Sequence, residues 1–139
     1  MITGLRALFT VILASMLWVT SWASLQCPLF GVPRAVATHP WFVATLFDAY
    51  WGFVTFFVWV CFRQTKWTAR IAWLVAILSL GNIAMSSYCL AALYRAPRDG
   101  KLSSVLTERQ SGPGWLGFLL AAAGVAVTLA AAAAPHTTR

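Results

Sequence analysis

Acidic residues are nearly missing from this chain, with three Asp and Glu against ten Lys and Arg in 139 residues. Charge of either sign is scarce, at 9% of residues, where a soluble domain carries about 25%. That shortage excludes an ordinary water-soluble domain. Cysteine is also sparse: Cys27, Cys61 and Cys89 are odd in number and form no C-x-x-C pair, which excludes a disulfide framework and a thiol-redox centre. All three are expected to be free thiols. There is no G-x-S-x-G, no phosphate-binding glycine-rich loop, no H-E-x-x-H and no cysteine pair with metal spacing. Soluble-type catalysis is therefore not expected, and the chain does not read as an enzyme.

Apolar residues fill the space. They make up 60% of the chain, with a mean hydropathy of +0.77, so any site must be built within or beside a bilayer. The net charge of +7 would suggest nucleic acid in a soluble protein. Here the basic residues lie near the ends of apolar runs, which suits anionic headgroups and gives no reason to expect nucleic acid.

Four apolar segments are long enough to count as spans: Ala7–Leu25, Trp41–Phe62, Ile71–Tyr94 and the Ala-rich Trp115–Ala134. The expected fold is an all-α, polytopic membrane helix bundle forming one domain over 1–139, a three-span core with a fourth span added. The first segment has a weak signal-peptide look, with Arg6 in front and Ser21-Trp22-Ala23 behind. It is expected to stay as a span, and Gln26 before Cys27 makes a poor lipobox. Pro40 opens the second segment and Arg63 closes it; Arg95 closes the third. Only residues 63 to 70 join the two, so they should be antiparallel neighbours. Between the third and fourth segments, 95–114 is polar, with a turn at Asp99-Gly100 and Leu102, Val105 and Leu106 at helical spacing, as in a short helix on the membrane surface.

Four crossings would put Arg6, Arg63, Lys66, Arg70 and Arg139 on one face and Arg34, Arg95, Arg98, Lys101 and Arg109 on the other. The positive-inside rule then ties, with a lean to both termini inside. A bacterial inner membrane is the expected location.

Polar residues inside the spans carry the functional signal. Steps of three and four along the second span line up Thr45, Asp48, Gly52 and Thr55, and the same steps along the third give Ser79, Asn82, Ser86 and Cys89. In an antiparallel pair these stripes face each other, with Asp48 level with Ser86 and Ser87. Asp48 is the one acid inside a span, about 12 Å along a helix rising 1.5 Å per residue. A lone aspartate there costs about 2.5–3.5 kcal/mol. Either it is a proton or ligand site, or it pins the two helices in register. Six of the eight tryptophans, Trp18, Trp22, Trp41, Trp67, Trp73 and Trp115, lie at or near span ends as interface anchors, leaving Trp51 and Trp59 deeper. Tyr50, Trp51 and His39 are the residues that would face an apolar cofactor, although one histidine without a partner makes a poor metal site. No cofactor and no metal is called for. Gly52 on the second span is expected to be a helix-packing position, and Gly117, Ala121, Gly124 and Thr128 form a small-residue seam on the fourth span, a helix-packing face.

The segments LQCPLFGVPRAVATHPWFVATLFDAYWGF (Leu25 to Phe53) and LGNIAMSSY (Leu80 to Tyr88) resemble a family of small integral-membrane proteins of unknown function found in bacteria and plants. The resemblance covers roughly residues 5 to 95, leaving the fourth span as an extension. It implies a membrane fold and carries no activity.

Three readings follow. The first is a non-catalytic accessory or scaffold subunit packed against a larger membrane complex, such as a respiratory or photosynthetic one. The second is a small oligomeric transporter or proton conductor using Asp48. The third is a binder of a quinone, carotenoid or haem. In each, lipids and either a protein partner or a second copy are the expected company.

Overall fold

The computed structural model describes residues 1–96, 102–107, 109 and 114–133, and these are helical almost throughout. Three helices are long and apolar enough to cross a membrane: α1 (Ile2–Gln26), α3 (Pro40–Arg63) and α7 (Gly114–Ala133). A single turn, α2 (Arg34–Ala37), precedes α3, and a short helix, α6 (Leu102–Thr107), precedes α7. The rest of the polar segment 95–114, including the turn expected at Asp99-Gly100, lies largely outside the described residues.

The third expected span is not one helix. It is divided at Gly81 into α4 (Trp67–Leu80) and α5 (Asn82–Arg95), each of 14 residues, or about 21 Å, short of a hydrocarbon core about 30 Å thick. Gly81 ends one helix and starts the other with φ 52° and ψ −125°, a conformation that residues with a Cβ rarely adopt. A Cβ there would also lie 2.7 Å from Cζ of Phe53 on α3. The chain doubles back at this point. Trp73 and Tyr88, which a straight helix would hold about 22 Å apart, stack edge to face with ring centroids 4.8 Å apart.

Two further contacts fix the direction. α4 and α7 run side by side and parallel: Gly114 faces Ala69, Gly117 faces Trp73 and Gly124 faces Ser79. Parallel neighbours require the chain to return to its starting end between α4 and α7, as a helix pair turning at Gly81 does. At that same end α5 closes on the start of α1, where Arg6 donates from Nη2 to the Leu93 carbonyl at 2.8 Å and lies over the Tyr94 ring. Ile2, Leu5 and Phe9 pack there with Ala92, Leu93, Ala96 and, from α6, Val105.

The expectation of four crossings is thereby replaced by three long helices and one pair of half-length helices. Six of the seven Lys and Arg among the described residues, namely Arg6, Arg63, Lys66, Arg70, Arg95 and Arg109, then belong to one end, the basic end. Arg34 stands alone at the other. The start of α1 and the end of α7 fall at opposite ends, and the five-to-five tie disappears.

α3 and α4 are antiparallel, as the short link demands. Gln64 and Lys66 are extended, and Arg70 Nε donates to the Gln64 carbonyl at 2.8 Å to close the reversal. The core is at the basic end, where Val60, Trp73, Ala76, Ile77, Ala84 and Tyr88 are buried together, with Leu116, Leu120 and Ala121 of α7 packed on them. No residue from 1 to 59 is buried within the chain.

Candidate functional site

The register of α3 on α4 brings Phe53 to Gly81, and a straight continuation would have carried Ser86 and Ser87 to the level of Asp48. The turn at Gly81 takes α5 away instead. Asp48 is exposed and makes no hydrogen bond or ion pair with the described residues, so the expected Asp48–Ser86/Ser87 contact is corrected. Ser86 is buried elsewhere, and Ser87 donates to the Ile83 carbonyl of its own helix at 2.7 Å. The break also splits the second stripe: Ser79 and Asn82 are exposed, whereas Ser86 and Cys89 are buried.

The other members of the first stripe stay with Asp48. Thr45 and Thr55 are exposed, and each hydroxyl donates back along α3, to the carbonyls of Trp41 at 2.8 Å and Trp51 at 2.9 Å. Gly52 was expected to be a packing position, yet a Cβ added to it would meet nothing within 4 Å. Thr45, Asp48, Gly52 and Thr55 thus form one shallow, small-residue face with a carboxylate in its middle and, among the described residues, no helix against it. Tyr50 and Trp51 lie beside it, lining an open, wholly apolar groove with Leu46, Phe47 and Val54. His39 is the exposed residue preceding α3 and does not line that groove.

On α7, Gly117 and Gly124 are buried and Ala121 is partly buried against α4. A Cβ at Gly117 would lie 2.9 Å from Nε1 of Trp73, and one at Gly124 would lie 2.6 Å from Cβ of Ser79. These glycines admit the close approach of two helices that lipid alone would not drive together.

A second polar group lies at the basic end, and sequence reasoning missed it. Arg63 and Gln64 are 3% and 2% exposed. Arg63 lies over the Trp59 ring at 5.4 Å, and Gln64 Nε2 donates to the Tyr88 hydroxyl at 3.3 Å. Tyr88 stands edge to face with Phe56, Trp59 and Trp73. Trp73, expected to be an interface anchor, has no exposed surface at all. Trp59 Nε1 reaches the Leu106 carbonyl at 3.1 Å and ties α6 to α3. The missed signal was the pair of Arg63 and Gln64 at the foot of α3, which looked like the usual polar closure of a span.

A family model of proteins of unknown function, DUF1475, matches residues 1–108. The chain belongs to that family. The match takes in the α4–α5 turn and α6 and stops short of α7. No curated protein and no solved structure matches the chain. The three cysteines are free, with Cys27 exposed, Cys61 half-buried and Cys89 buried.

Proposed function

We propose that this DUF1475 member is a non-catalytic, multi-pass membrane protein that serves as an accessory or scaffold subunit, and that the outer half of α3 is where a membrane partner docks. The observation that carries this is Asp48. It sits about 12 Å into a helix long enough to span, it is exposed, and none of the described residues offers it a partner. A carboxylate left facing lipid costs about 2.5–3.5 kcal/mol. A neighbouring helix that brings a hydroxyl, amide or basic donor to that depth removes most of that cost. The small residues around Asp48 let such a helix approach closely, and the aromatic wall of Tyr50 and Trp51 gives it an apolar edge.

The charge distribution favours one orientation. With six of the seven basic residues among the described ones at one end and one at the other, the positive-inside rule supports the start of α1 and the α4–α5 pair at the cytoplasmic face and the end of α7 outside, in a bacterial inner membrane. The docking face then belongs to the outer half of the bilayer.

The test is solubilisation in a mild detergent followed by native electrophoresis of the wild type, Asp48→Asn and Asp48→Leu. The wild type is expected to migrate in an assembly. Asn keeps the shape and much of the hydrogen bonding and should preserve the assembly; Leu should release the 15.2 kDa chain with its fold intact. A wild type that runs as a monomer and is indifferent to Asp48→Leu contradicts the proposal. A homo-oligomer that conducts protons in proteoliposomes, and stops doing so on Asp48→Asn while still assembled, transfers Asp48 to the transporter reading.

A further inference from the structure

A cavity of about 370 Å³ opens at the basic end, between the α3–α4 link and the start of α7, lined chiefly by Gln64, Lys66, Thr68, Gly114, Trp115 and Phe118. Its volume falls within the range of small-molecule sites, about 300–1,000 Å³. Its chemistry is one-sided. Lys66 contributes an ammonium, Thr68 a hydroxyl, and no acid lines it among the described residues. Gln64, only 2% exposed, forms the inner wall and is held there by its bond to Tyr88.

The backbone adds the same sign. Lys66 is the residue before α4 and makes no side-chain cap, so the first N–H groups of that helix lack an internal acceptor. α7 begins alongside and in parallel, with Gly114 against Ala69, so the positive ends of two helix dipoles meet where the lysine is. Parallel neighbours gain from an anion placed between their starts.

We infer that this cavity binds a phosphate group, either that of an anionic phospholipid headgroup or free phosphate. Lysine meets phosphate as a point charge, and hydroxyl and N–H donors complete the shell. The far wall is apolar. Trp115 and Phe118 are 67% and 52% exposed, and a tryptophan at a helix start marks the headgroup level of a bilayer, where the glycerol and upper acyl chain of a lipid would lie against these rings. The site is separate from the Asp48 face and does not depend on the docking proposed there.

The experiment is native mass spectrometry of the full chain released from nanodiscs of mixed phosphatidylglycerol and phosphatidylcholine, with parallel titration of the detergent-solubilised chain by inorganic phosphate. Retained phosphatidylglycerol, weakened about five- to tenfold by Lys66→Ala with Thr68→Ala and restored by Lys66→Arg, is the expected result and assigns the headgroup. Inorganic phosphate bound with the same dependence on Lys66, and no lipid retained, assigns the free anion. Arg95→Ala, on the same face but outside the cavity, should leave retention unchanged. Equal loss from Arg95→Ala and from the Lys66 variant, or none from either, overturns the inference, since attraction would then belong to the whole basic face or to none of it.

Discussion

The two ends of the molecule solve the membrane problem differently. At the basic end every long helix has a neighbour from its own chain: α5 on α1, and α4 between α3 and α7. The buried residues of the long helices are Val60, Arg63 and Gly117 toward that end and Gly124 midway along α7. At the opposite end the last half of α1 and the first half of α3 contribute no buried residue. The cause is one glycine. By turning the chain at Gly81, the fold keeps both halves of an apolar run of spanning length at the basic end, and among the described residues the opposite end has only the three long helices and α2. A chain of 139 residues can thus be closely packed in one half and unpacked in the other, and the unpacked half holds Asp48.

Substitutions should respect that division, and their expected effects fall in order from the turn outward. Gly81→Ala should cost most, about 2–4 kcal/mol, because it adds strain at φ 52° to an overlap with Phe53; thermal unfolding in detergent reads it, and a loss under 1 kcal/mol would mean that the chain passes straight through this position. Gly117→Leu should follow at about 1–3 kcal/mol, since the Trp73 indole beside it is fully buried and has nowhere to move. Near-ultraviolet circular dichroism of Trp73 and Tyr88 should change with it. Trp59→Phe keeps a ring in the aromatic cluster but removes the bond to the Leu106 carbonyl, for a loss of about 0.5–1.5 kcal/mol. Faster hydrogen exchange confined to α6 is the accompanying sign. Thr45→Val, on the unpacked half of α3, should change the stability of the isolated chain by less than about 0.5 kcal/mol, and a larger loss would show that this half is packed after all.

Hydropathy and length made the long helices legible, since a run of some 20 apolar residues has few other uses. Pro40 and Arg63 marked the bounds of α3 to within a residue. What the pattern hid was the turn. Gly81-Asn82 has the composition of a helix stop, yet in a 24-residue apolar run it reads equally as a small polar patch on a straight helix, because a stripe at three- and four-residue steps is defined only if the helix continues. If α4 and α5 are one straight helix, Ser86 falls level with Asp48, Arg95 on the opposite face, and the basic residues tie. Trp73 differs for a related reason: its place as the third residue of the expected span suits an interface anchor, and only the return of Tyr88 and the approach of Gly117 enclose it.

The doubling back at Gly81 is tested most directly by labelling from the two sides of the membrane. Single cysteines at Lys66, Arg95 and Arg34, placed in a chain whose own three cysteines are replaced by serine, can be offered a membrane-impermeant maleimide in right-side-out and inverted vesicles. The fold described here predicts that Lys66→Cys and Arg95→Cys are labelled from one side and Arg34→Cys from the other, and the orientation proposed above makes the first side the one open in inverted vesicles. Labelling of Lys66→Cys and Arg95→Cys from opposite sides would mean that α4 and α5 cross the bilayer as one span, and would contradict it.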